Sequence, residues 1–200
     1  MNFRRLTVYL LAFASGFAIM SIELLGGRIL SPYFGSGIYV WGSIIFVFML
    51  ALSIGYLVGG QLSLRNPRLA KYGLFFLAAA VTALPIILYG DAMLDEVFAR
   101  LADPRYGSLL AAGIMFIAPT AILGMIAPYS VRLLVETTYE SGRVAGMLYF
   151  VSTLGSALGT LLTSFYLVLW FEINTILISL CLCLVVCFII ALAADLWLDG

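Results

Sequence analysis

Long apolar stretches separated by short polar ones run through the whole chain. The first, Leu6 to Met20, has no charge at all. A bilayer core takes about 20 apolar residues of helix to cross, and six stretches of that kind fit here. The predicted helices cover about 6–25, 40–62, 72–89, 108–134, 146–171 and 174–194, and together they make residues 1–200 a single transmembrane domain. Pro85 is expected to kink the third. Pro119, Gly124 and Pro128 are expected to break the fourth. Met1-Asn2-Phe3-Arg4-Arg5 ahead of the first run has the charge of a secretory leader. However, no small-residue cleavage site leads into a soluble chain, so the run is read as an uncleaved first helix.

Polar residues are sparse enough that each one placed inside a span raises a question. Glu23 sits at the end of the first run, where a carboxylate is costly unless it is paired, protonated or facing water. Arg28 follows five residues later, about 140° away around a continuous helix. The two can face each other only if Gly26-Gly27, with Pro32 beyond, breaks the helix. Glu23 and Arg28, with Tyr33 and Tyr39 nearby, are therefore the candidate substrate-binding residues. A carboxylate and aromatic faces suit a small cation. A structural Glu23–Arg28 ion pair is the competing expectation.

Between spans, Lys and Arg set the expected orientation. Arg4, Arg5, Arg65, Arg68, Lys71, Arg132 and Arg143 all fall on one side, against Arg28, Arg100 and Arg105 on the other. The richer side is assigned to the cytoplasm, with both termini. Residues 91–106 form the one long polar connection on the outside. Their mixture of Met93, Leu94, Val97 and Phe98 with Asp91, Asp95, Glu96 and Arg100 predicts an amphipathic helix on the membrane surface or capping the bundle.

Small residues recur where helices can pack. Gly55 and Gly59 in the second span and Gly155 and Gly159 in the fifth share the GxxxG spacing that lets backbones approach closely in lipid. The two motifs lie one hundred residues apart, half of the 200-residue chain, and predict two three-helix repeats. The first span enters from the cytoplasm and the fourth from outside, so the repeat is inverted. Folds of that kind place a site at the repeat interface, beside broken helices.

Composition narrows the chemistry. The chain is 64% hydrophobic and 10% charged with no net charge, which leaves no basic patch for nucleic acid. It has no histidine, the commonest general base and metal ligand. Cys181, Cys183 and Cys187 share one apolar run and are read as packing residues rather than as a metal site or disulfides. No cofactor is expected. An integral-membrane enzyme with Glu23 as acid or base lacks a nucleophile or second carboxylate converging on it, so the chain alone is not expected to be an enzyme.

Several motifs together resemble a known family. Ser15-Gly16-Phe17-Ala18, Glu23 and Arg28-Ile29-Leu30 resemble the first membrane helix of membrane-bound spermidine synthase-like proteins, also called fused transporter-like/spermidine synthase proteins. Ala51-Leu52-Ser53-Ile54-Gly55 with Gly59-Gly60 resembles their second helix. Pro119, Gly124-Met125, Pro128 and Arg132 resemble the fourth. Gly142-Arg143, Gly146, Leu148-Tyr149 and Thr153-Leu154-Gly155-Ser156 with Gly159 resemble the fifth. The likeness implies a multi-pass protein of the bacterial inner membrane and a polyamine-like ligand. It also implies a cytoplasmic aminopropyltransferase-like partner or domain. No strand–glycine turn–helix unit for a nucleoside occurs here, and Gly35-Ser36-Gly37 is no such motif. Any transferase activity is thus expected from a separate domain, joined at the predicted cytoplasmic C-terminus, Asp195 to Gly200. The expected function is binding or transport of a small molecule around Glu23 and Arg28, in a homo-oligomer because six spans are few for a carrier. The alternative is a non-transporting scaffold that anchors a synthase-like partner.

Overall fold

A computed structural model describes residues 3–199, and its elements are helical throughout: α1 (Phe3–Phe34), α2 (Ile38–Leu62), α3 (Leu69–Arg100), α4 (Pro104–Gly124), α5 (Ile126–Leu134), α6 (Ser141–Leu162), α7 (Val168–Trp170) and α8 (Ile173–Asp199). A 3-10 turn at Thr138–Glu140 precedes α6, and a π-helical turn at Thr163–Leu167 joins α6 to α7. Six spans are long and apolar enough to cross a membrane, with α4–α5 forming one and α6–α7 another. Large apolar side chains such as Leu57, Leu88, Leu169 and Ile189 stand exposed around the bundle. That outside suits a lipid bilayer, where a helix satisfies its backbone hydrogen bonds within itself.

Three helices differ from the expected limits. The first runs unbroken from Phe3 to Phe34, so Gly26-Gly27 and Pro32 do not break it. Pro32 removes the amide that would bond the Arg28 carbonyl. The Ser31 hydroxyl donates to that carbonyl instead, at 3.1 Å. Gly35, with φ +80°, then stops the helix in a left-handed conformation, its amide donating to the Ser31 carbonyl at 2.9 Å. The third helix continues through Pro85 to Arg100, so residues 91–100 continue the same helix rather than form a separate one. In the fourth span the helix stops at Gly124 and resumes at Ile126. Pro128 has no amide to give the Gly124 carbonyl, and the Met125 amide bonds Ile122 at 3.1 Å in a tighter turn. Pro119 lies buried inside α4 without interrupting it.

The closest helix pairs are α2 with α4, α1 with α6, and α3 with α8. Two of these seams are backbone against backbone. A Cβ added at Gly55 would overlap the Ala121 carbonyl, and one at Gly59 would lie 2.5 Å from the Met125 Cα. Across the bundle, a Cβ at Gly155 would overlap the Phe13 carbonyl, and one at Gly159 would lie 2.9 Å from the Phe17 Cα. The approach is mutual. A Cβ at Gly124 would lie 3.1 Å from the Leu52 carbonyl, and one at Gly16 would overlap the Ser152 carbonyl. With little hydrophobic drive between helices in lipid, this close packing is what holds them together.

Polar side chains fasten the face where the chain begins and ends. Phe3 meets Trp197 edge-on at 5.1 Å, and the Leu69 amide donates to Asp195 Oδ1 at 2.9 Å. Arg5 reaches Glu136 and Glu140 at 3.3 and 3.6 Å. Deeper in, fully buried Tyr72 stacks on Tyr129. Ser130 donates to the Ile126 carbonyl, so the Tyr72 hydroxyl donates to Ser130 at 2.7 Å. Tyr72→Phe leaves Ser130 with its carbonyl partner and removes one buried hydrogen bond. It should cost about 1 kcal/mol of stability, read as a small drop in thermal unfolding temperature in detergent.

Candidate functional site

The bundle encloses a cavity of about 380 Å³ between α1, α2, α6 and the break from α4 to α5. It is where the two glycine seams meet. Gly16 and Gly124, each pressed on the opposite helix, both line it. Leu52 and Tyr56 supply one wall from α2, and Ser152 and Ser156 the facing wall from α6. The break in the fourth span brings Ile126, Ala127 and Pro128 to the same space. Hydroxyls of Ser15, Ser152, Thr153 and Ser156 and the rings of Tyr56 and Tyr149 give the otherwise apolar lining its polar points. Ser156 donates to the Gly16 carbonyl at 3.2 Å, tying α6 to α1 at the cavity edge.

Glu23 is not among the residues that line this cavity. Ile19 and Met20 line the space, and Glu23 lies one turn further along α1. It is half-buried and, among the described residues, forms no ion pair. The one buried side-chain polar atom left without a partner there is Arg5 Nε, so neither Glu23 oxygen is sealed in. One further turn on, aromatic rings pack against α1. A Cβ at Gly26 would lie 3.1 Å from the Phe116 ring, and one at Gly27 2.8 Å from Trp41. The buried Thr163 hydroxyl, in the π-helical turn, donates to Ser21 at 2.9 Å on the other side of α1.

The other candidate binding residues lie elsewhere. Because α1 is continuous, Arg28 is turned about 140° from Glu23 and cannot pair with it. Arg28 and Tyr33 instead line a cleft of about 540 Å³ between α1, α3 and the start of α8. The Tyr33 hydroxyl donates to the Asp91 carbonyl at 3.4 Å, and its ring meets Phe98 edge-on. Tyr39 lies exposed at the start of α2 with the Arg105 guanidinium 5.3 Å from its ring centre. Ser152 and Ser156 line the cavity, although from sequence they read only as small packing residues. They sit one turn apart beside the Gly155–Gly159 motif, and that spacing was the available signal.

Cys181 and Cys187 are buried and Cys183 exposed, all as free thiols. Among the described residues no group of three or more acidic, cysteine or histidine side chains is placed to hold a metal ion. No family model, curated protein or solved structure matches this chain.

Proposed function

We propose that this chain is a membrane module that binds or transports a small organic cation, polyamine-like in chemistry, in the central cavity with Glu23 as its counter-charge. The observation that carries this is a carboxylate with no ion-pair partner among the described residues, on α1 one turn beyond Ile19 and Met20, which line the space. The volume, about 380 Å³, is within the range of small-molecule pockets. Serine and threonine hydroxyls offer acceptors to ammonium groups, and the Tyr56 and Tyr149 rings offer cation–π faces.

The halves of the chain are read as an inverted repeat. Gly55 and Gly155 correspond, as do Gly59 and Gly159 and, across the break, Gly124 and Gly16. Each pair makes the same kind of close approach to the opposite half. In such a design the halves rock about a site at their interface, and the broken fourth span gives one half its hinge. Arg65, Arg68, Lys71, Arg132 and Arg143 are all exposed; by the positive-inside rule we read them as marking a cytoplasmic face that carries both termini, and the inner membrane is what the family resemblance implies. The same exposed cations favour a second reading, a scaffold whose cytoplasmic face docks a synthase-like partner.

Filling the cavity separates these readings. Ala127 lines the space and is half-buried. Ala127→Phe should weaken retention of radiolabelled spermidine in equilibrium dialysis by about tenfold, while the protein still elutes as a folded particle. Unchanged retention would place the ligand outside the cavity, and no retention by the wild type would favour the scaffold.

A further inference from the structure

The outer cleft, separate from the central cavity, holds charges of both signs that do not touch. Arg28 from α1, Asp91 from α3 and Glu172 just before α8 all line it. None of the three enters an ion pair among the described residues. Asn174 and the first turn of α8 border the same space, and amides in a first helical turn have no intrahelical acceptor. The cleft therefore offers donors to an anionic group and carboxylates to a cationic one. The apolar body of α3 ends nearby, at Tyr89-Gly90, so the cleft sits where a span meets the headgroup layer.

A second feature says what kind of zwitterion fits. Phe171 lines this cleft and also an apolar groove of about 230 Å³ that runs along α8 past Ile176 and Leu180 to Cys183, with Phe17 of α1 on its wall. The groove leads from the charged cleft toward the middle of the bilayer. We infer that the cleft and groove form a binding site for a phospholipid with a primary-amine zwitterionic headgroup. Arg28 holds the phosphate, Asp91 and Glu172 hold the ammonium group, and an acyl chain lies in the groove behind Phe171. A guanidinium presents paired donors to phosphate oxygens. A primary ammonium presents three donors to the carboxylates, whereas a phosphoglycerol headgroup brings no positive charge for them.

Native mass spectrometry of the full chain, released from micelles with equal phosphatidylethanolamine and phosphatidylglycerol, tests this site. The wild type should retain phosphatidylethanolamine over phosphatidylglycerol by about tenfold. Arg28→Gln should lower retention of both lipids. The double substitution Asp91→Asn with Glu172→Gln should remove the preference and leave the phosphate contact. All three side chains are exposed, so these changes leave the fold in place. Displacement of the retained lipid by soluble phosphoethanolamine supports the headgroup site. Equal retention of the two lipids by the wild type, or a preference unchanged in the double variant, overturns the inference. So does binding of soluble phosphoethanolamine without lipid retention.

Discussion

Gly155→Leu should push α1 and α6 apart and cost at least about 3 kcal/mol of stability, the upper end of overpacking effects. The physical reason is that nothing flexible stands in the way. A Cβ at Gly155 meets the backbone carbonyl of Phe13, not the movable end of a side chain. Relief requires the whole helix to shift, and Gly159 against Phe17 and Gly16 against Ser152 shift with it. Gly55→Leu should do the same to the α2–α4 seam, against Ala121 and Gly124. Gly60 and Gly146 are the controls, since a Cβ at either meets nothing within 4 Å. Their alanine variants should unfold at or above the wild-type temperature. Thermal unfolding in detergent checks the set. A Gly155→Leu protein with the wild-type unfolding temperature would remove the close-approach explanation of the seam.

Glu23→Gln should weaken binding of a polyamine by about 100-fold and leave the fold intact. The two halves of that expectation have different origins. A carboxylate facing a desolvated cation at contact distance contributes several kcal/mol that a neutral amide cannot replace. Stability behaves otherwise, because among the described residues Glu23 has no ionic partner to lose and it is half-buried. Removing an unpaired charge from a span relieves desolvation, so unfolding should occur at the same temperature or higher. A large loss of folded protein would instead mark a structural contact for Glu23.

Hydropathy alone located the six spans, because each needs an apolar run as long as the bilayer is thick. It failed at the ends. The first run reads as finished at Leu25, yet α1 continues for more than two further turns. Gly26 and Gly27 look like a break, but their missing side chains make room for the Phe116 and Trp41 rings, contacts remote in sequence. Glu23 and Arg28 look like neighbours when the chain is written out. The continuous helix turns them apart, with Arg28 in the outer cleft and Glu23 one turn beyond the residues that line the central cavity. The glycine spacings carried real information about which helices have room for a close partner. They could not say that Gly55 would meet Ala121 or that Gly155 would meet Phe13, since helix pairing depends on the whole bundle. The π-helical turn at Thr163–Leu167 left no mark in the sequence pattern; its Thr163–Ser21 hydrogen bond joins residues far apart in the chain.

Calorimetric titration of spermidine and putrescine into the purified protein, wild type beside Glu23→Gln, bears most directly on the central cavity. Saturable binding to the wild type that disappears in the folded variant is the expected result. Binding of equal strength to both proteins, or none to a well-folded wild type, would contradict a cation site built on Glu23.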